Sequence, residues 1–354
     1  MSRIVSVGCA LPPHRYEQDE LIAAFRAYWG REHQNSDRVD QLHRAVSVGG
    51  RNLALPIEEY GALRDFGQAN DAWIRVATDL GQQAVQAALA AAGLVPRDVD
   101  ALFFTTVTGL AAPTVDARLH NRLDMRPDVK RVPMFGLGCV AGAAGIARVH
   151  DYLLAYPDQV AVLLSVELCS LTLQREDLSI ANLIASGLFG DGAAAVVMAG
   201  DARAPALPCV GPWVRASKSR FYRDTERVMG WDIGARGFRI VLSPTVPDMV
   251  RQFMAADVED FLDGLGLQRS DIRSFVCHPG GPKVIDAMQD VLELDAEDLA
   301  LTRRSLHEVG NLSSSSVLFV LADTISTRRP PPGTLGLLLA MGPGFCAELV
   351  QLQW

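Results

Sequence analysis

The sequence predicts an α/β protein built from two similar halves, each a sheet covered by helices. Three matches carry that expectation. Residues 93–104 recur without a gap as residues 266–277, 173 positions later, and each copy reads as a helix end, a turn and a buried strand. Gly138-Cys139 and Gly310-Asn311 stand 172 positions apart, and each pair opens a run of small residues, 140–145 and 312–316. The apolar strand 160–166 corresponds to 333–340, so helix, strand, helix and strand repeat in one order. Alternation of this kind predicts parallel-type sheets, and two such units are expected to stack face to face.

Length agrees with duplication. A chain of 354 residues exceeds the roughly 250–300 at which a single core stops growing, and the halves are expected at 1–205 and 206–354. Taken in order, Ile4-Val5-Ser6-Val7 reads as a first strand ended before Pro12-Pro13, too short for a signal peptide core or a membrane span. The helix ending at Gly93 then feeds the strand through Phe104. An apolar run closed by Gly136 and Gly138 delivers Cys139 to the start of a small-residue helix, and the strand 160–166 follows. In the second half, the strand before His278 is stopped by Pro279-Gly280-Gly281-Pro282.

Composition narrows the function. With 49% apolar and 21% charged residues and a net charge of −8, the chain reads as a soluble globular protein without a basic face for nucleic acid. Its six cysteines form no CxxC pair and no regular spacing, which points away from a zinc site or a disulfide framework and fits a reducing, cytoplasmic location.

The chemistry gathers on three residues. Cys139 at a helix start is a candidate nucleophile, because unpaired N–H groups there favour the thiolate. If the halves are related by pseudo-symmetry, Asn311 lies at the equivalent helix start and should face Cys139. His278, at a strand end, could take the thiol proton and persist as an ion pair. His278 and Asn311 together could hydrogen-bond a thioester oxygen and stabilise an enolate formed by loss of CO2. Singly, each has an ordinary structural explanation: a buried cysteine, a strand-end histidine, an N-cap asparagine.

At these residues the chain resembles the type III polyketide synthases, the chalcone synthase family of thiolase-fold enzymes. The likeness rests on Gly138-Cys139, Leu188-Phe189-Gly190-Asp191-Gly192, His278-Pro279-Gly280-Gly281-Pro282, Gly310-Asn311-Leu312-Ser313 and Gly342-Pro343-Gly344-Phe345. It implies a thiolase-like α/β fold with a layered α-β-α-β-α core, and a homodimer acting on acyl-CoA and malonyl-CoA with no metal or redox cofactor. Cys139 would carry the acyl chain, while His278 and Asn311 orient malonyl-CoA for decarboxylation. The resemblance makes Phe189 a gatekeeper between the CoA tunnel and the cavity, and gives Thr108, Cys169, Leu173, Ile240, Ser313, Gly342, Pro343 and Gly344 as substrate-binding residues. Arg44 and Arg51 fall, with Arg38, in the region where the family carries its CoA-phosphate ligands.

Several positions depart from the plant members. Ile240 replaces a second gatekeeping phenylalanine, Cys169 a threonine, and Ala112 a methionine lent across the dimer. Val166 to Leu171, Met229-Gly230-Trp231-Asp232 and residues 339–346 resemble bacterial synthases of the alkylpyrone and alkylresorcinol type, implying a fatty acyl starter extended by two or three malonyl units. Leu173 sits where some long-chain members have a small residue, so a shorter starter stays open. Tetrahydroxynaphthalene synthases, using malonyl-CoA alone, are the alternative within the family. Outside it stand a ketoacyl-ACP synthase III and a thiolase-fold protein that only binds acyl-CoA.

Overall fold

The computed structural model describes residues 1–29 and 36–354. The first half contains β1 (Ser2–Ala10), β2 (His14–Glu17), α1 (Gln18–Trp29), α2 (Ser36–Arg44), β3 (Gly50–Leu53), α3 (Ile57–Tyr60), α4 (Phe66–Ala91), β4 (Ala101–Thr106), α5 (Val115–Arg122), β5 (Lys130–Phe135), α6 (Ala141–Ala155), β6 (Val160–Leu168), α7 (Ile180–Leu188) and β7 (Asp191–Gly200). The second contains β8 (Trp213–Phe221), β9 (Met229–Gly234), β10 (Gly237–Leu242), α8 (Val246–Asp263), β11 (Ile272–Cys277), α9 (Pro282–Val291), α10 (Ala300–Val309), α11 (Ser316–Thr327), β12 (Leu335–Gly342) and β13 (Cys346–Gln353).

Nine strands form one sheet in the order β11-β12-β13-β8-β1-β7-β6-β4-β5. The duplication is visible in that order, since β8, β13, β12 and β11 mirror β1, β7, β6 and β4 outward from the centre. Among the described residues β5 has no counterpart. The two half-sheets meet edge to edge, where Ser2 pairs with Val214 and Arg3 with Trp213. They do not stack directly: α6 packs on β6 and β7 of one half and on β12 and β13 of the other, while α11 packs on β1 and β11. A two-helix layer therefore separates the half-sheets. With α4 covering the outer face of the first half and α8 and α9 that of the second, the core has the expected five layers, each helical layer over its own apolar cluster.

The expectation of parallel-type sheets needs correction. Only β4 with β5 and β6, and β11 with β12, run parallel; the other pairs are antiparallel. The turn Pro343-Gly344-Phe345 is enough to reverse the chain between β12 and β13, which a parallel crossover could not do.

The repeated segments fold alike. Gly93 and Gly266 both take a left-handed φ, 66° and 69°, where glycine escapes the Cβ clash. Asp98 accepts from the Val95 N–H and Asp271 from the Gln268 N–H, each at 2.8 Å. One register differs from expectation. Helices α6 and α11 begin 175 positions apart, so the counterpart of Cys139 is Ser314 rather than Asn311. The chain between Gly310 and α11 is three residues longer than that between Gly138 and α6, and Asn311 sits in the extra length.

Candidate active site

Cys139 is the middle residue of a 3-10 turn, Gly138–Val140, that runs into α6. Small residues allow this. A Cβ at Gly142 would stand 2.3 Å from the Ser314 carbonyl oxygen, so α6 and the serine run approach at backbone distance only because that side chain is absent. The Cys139 thiol donates to Ser313 Oγ at 3.7 Å, joining the halves. Ser313 is a non-glycine residue at φ 49°, a conformation that costs energy unless its surroundings hold it. Here the Asn311 carboxamide does so, accepting from the Ser313 N–H at 2.8 Å while its NH2 donates to the Gly280 carbonyl at 3.2 Å.

Asn311 in turn is pinned beside Phe189. Its N–H donates to the Leu188 carbonyl at 2.9 Å, and its carbonyl accepts from the Gly190 N–H at 3.0 Å, bracketing Phe189. His278 follows β11 directly, its N–H donating to the Leu339 carbonyl at 3.0 Å. Cys139, His278, Asn311 and Phe189 all line one cavity of about 250 Å³, which also meets Met341, Phe345 and the exposed Lys283. A second, mainly apolar cavity lies behind Phe189 and is lined by Cys169, Leu173, Ile240, Trp231, Tyr60 and Arg51.

Burial works against the expected ion pair. Burial pushes the Cys139 thiol up to about 12, aided by the nearby Glu167, against the hydrogen bonds from Ser313 and Asn311 that pull it down. Burial alone holds His278 down to about 3, and neither ring nitrogen has a protein partner. Burial thus favours the uncharged form of each group. The cost of removing a charge from water exceeds what a helix start returns. A neutral imidazole remains able to accept the thiol proton during attack, and a neutral N–H can donate to a developing oxyanion.

Other expected site residues divide. Phe189, Cys169, Leu173 and Ile240 do line the inner cavity. Thr108 lines neither cavity; its hydroxyl donates to Glu167 at 2.9 Å and accepts from the Trp73 indole at 3.2 Å. Gly342, Pro343 and Gly344 are likewise absent from both linings. Gly342 and Pro343 instead buttress the Cys139 turn, since a Cβ at Gly342 would lie 2.6 Å from the Val140 nitrogen and one at Gly138 2.7 Å from the Pro343 ring. Arg44 is exposed and paired with Asp19 at 2.8 Å. Arg51 is 2% exposed and faces the inner cavity, because β3 turns it inward; it has no access to a phosphate at the surface.

Sequence reading missed two buried carboxylates. Glu167 accepts from Thr106, Val107, Thr108 and Ser314, and Asp191 from Ala54 and Ser170. The available signal was an acid inside an apolar run, which is found buried only when its oxygens are satisfied. Among the described residues no cluster of His, Cys, Asp or Glu could hold a metal, and no helix is long and apolar enough to cross a membrane.

A thiol, an imidazole and a carboxamide converging where two duplicated α/β halves meet define a thiolase-like condensing enzyme. The family is shown by the chalcone and stilbene synthase models, whose N-terminal domain matches residues 2–202 and C-terminal domain residues 214–353. The chain belongs to that family and is a type III polyketide synthase, an acyltransferase that takes coenzyme A thioesters and needs no further cofactor. Among its relatives, 1,3,6,8-tetrahydroxynaphthalene synthase of Streptomyces peucetius subsp. caesius is 54% identical over 99% of this chain and 93% of its own length. A putative chalcone synthase of Bacillus subtilis is 35% identical over 100% and 99%. The solved structure of 1,3,6,8-tetrahydroxynaphthalene synthase from Streptomyces coelicolor A3(2), a bacterial type III polyketide synthase, superimposes with a TM-score of 0.93 at 29% identity, covering 99% of each chain.

Proposed function

We propose that the enzyme builds its polyketide from malonyl-CoA alone and closes it by carbon–carbon bonds into a polyhydroxylated naphthalene. The observation that carries this reading is the 54% identity, over nearly the whole of both chains, to a 1,3,6,8-tetrahydroxynaphthalene synthase. Leu173, which lines the inner cavity, supports the choice of a short starter.

In this reading Cys139 attacks the thioester carbon of the first CoA substrate while its proton passes to neutral His278, and the departing CoA thiolate takes that proton. A malonyl-CoA in the outer cavity then receives hydrogen bonds on its thioester oxygen from His278 and Asn311. Loss of CO2 leaves an enolate whose charge those donors share, and the enolate carbon displaces the Cys139 thiolate from the acyl group. Phe189 divides loading from chain storage. Lys283, exposed on the outer cavity wall, and Arg44, exposed at the surface, are the candidate cations for the CoA phosphates. The working unit is a homodimer, with exposed Leu110 and Phe135 in its interface, and an intracellular location accompanies the use of CoA thioesters.

The apolar lining of the inner cavity favours a second reading, in which a fatty acyl starter receives two or three malonyl units and closes as an alkylpyrone or alkylresorcinol. Incubating the pure protein with malonyl-CoA, alone and with acyl-CoAs of graded length, separates them by mass spectrometry. A naphthalene product from malonyl-CoA alone is expected. Absence of any product until a fatty acyl-CoA is added would overturn the first reading.

A further inference from the structure

The inner cavity holds polar chemistry that condensation at Cys139 does not use. Arg51 donates through Nη1 to the Phe189 carbonyl at 2.6 Å, but its Nε and Nη2 have no protein acceptor. Those two groups share one edge of the guanidinium plane, the edge that grips two oxygens side by side. Both nitrogens are sealed from solvent beside the cavity that Arg51 lines, and a buried cation with two idle donors is costly unless an acceptor arrives. In the same lining, the Tyr60 hydroxyl meets the Ser170 hydroxyl at 2.5 Å. Ser170 donates onward to Asp191, whose carboxylate also accepts from the Ser170 N–H at 2.8 Å and the Ala54 N–H at 2.6 Å. Because Ser170 gives its only proton to Asp191, Tyr60 must donate to Ser170. The result is a one-way hydroxyl chain from the cavity to a fully buried carboxylate.

We propose that the cavity behind Phe189 is a second reactive centre, in which Arg51 binds the 1,3-dicarbonyl oxygens of the growing chain and Tyr60, Ser170 and Asp191 take a proton from the chain and return it during carbon–carbon ring closure. A methylene between two carbonyls gives its proton to the Tyr60 oxygen as the phenol proton passes to Ser170 and the Ser170 proton to Asp191. The electron pair of the broken C–H bond becomes an enolate held by Arg51. Its carbon then bonds to a ketone carbon of the same chain, the π pair of that ketone moves onto its oxygen, and the relay run backwards returns the proton to the new alkoxide. Nothing is oxidised or reduced. Without the relay the chain closes through an enol oxygen instead, giving a lactone.

This inference rests on the malonyl-CoA reading, so the test counts CoA released and products formed separately. Wild type, Tyr60→Phe, Ser170→Ala and Ser170→Thr are given malonyl-CoA, and ring-closed and lactone products are quantified per CoA released. The ratio is expected to fall about tenfold or more in Tyr60→Phe and Ser170→Ala and to recover in Ser170→Thr, which keeps a hydroxyl. An unchanged ratio in Tyr60→Phe, or equal loss in Ser170→Ala and Ser170→Thr, overturns the relay. No CoA release by wild type overturns the substrate reading instead. Arg51 is tested on its own by acetylacetone, a bare 1,3-diketone, whose enolate absorbance should rise on mixing with wild type and not with Arg51→Met; equal absorbance with both variants overturns the dicarbonyl site.

Discussion

The Cys139 thiol donates to the hydroxyl of Ser313 at 3.7 Å, a contact between the two halves made by residues 174 positions apart. The contact favours the thiolate, but burial outweighs it and pushes the thiol up to about 12. Alkylation of Cys139 by iodoacetamide should therefore be slow at pH 7 and rise steadily to pH 9 without a plateau, because the thiolate fraction grows with each unit. Peptide mass spectrometry of timed samples checks this. A plateau near pH 6 would instead reveal a thiolate–imidazolium pair.

Replacing Cys139 by Ala should abolish transfer of label from acyl-CoA to protein and reduce product formation by more than about 10³-fold, since among the described residues no other thiol lines the cavity that holds His278 and Asn311. Residual decarboxylation of malonyl-CoA should survive, measured as CO2 released, because His278 and Asn311 remain.

Stability should fall on the acid side. Buried His278 is held down to about 3 from an ordinary 6.5, so as pH drops below 6.5 the unfolded chain takes up the proton first. Its contribution is complete above pH 6.5 and is lost as pH falls toward 3. Buried His43, lowered to about 4, acts in the same direction. Urea midpoints measured from pH 7 to pH 4 should decline, and His278→Asn should flatten that slope by about 1 kcal/mol or more over the interval.

Gly142→Ala should be destabilising despite the better helix propensity of alanine. Its Cβ would lie 2.3 Å from a backbone oxygen of Ser314, so α6 or the serine run must move, at a cost of about 1–3 kcal/mol. Calorimetry should register a lowered Tm. Product formation should fall further than stability alone explains, since the Cys139–Ser313 contact moves with α6.

Leu173→Ala should enlarge the inner cavity beyond Cys169 without touching the outer one. Longer acyl-CoA starters should then be accepted, read as a shift in chain length among the products from a mixture of acyl-CoAs. An unchanged chain-length profile would mean that the chain does not extend past Leu173.

Much of this protein is written locally. The helix–turn–strand at 93–104 and its copy at 266–277 each carry a left-handed glycine and a capping aspartate, and such signals act over a few residues, so the duplication and its buried strands were legible. So were Cys139, His278 and Asn311, because a glycine turn, a proline-glycine stop and a small-residue run each mark a site where backbone must pass close to something. The tertiary structure alone decided what those residues experience. The push of Cys139 and His278 toward their uncharged forms comes from burial, which depends on how α6 and α11 fill the layer between the half-sheets. Arg51 is a surface cation by composition and a cavity cation by folding, because β3 turns inward beneath Phe189. Thr108, Gly342 and Pro343, expected to meet substrate, pack behind the cavity linings. The hydroxyl chain from Tyr60 to Asp191 joins residues 131 positions apart, and no local signal couples them; only long-range packing brings an acid, a serine and a phenol into line.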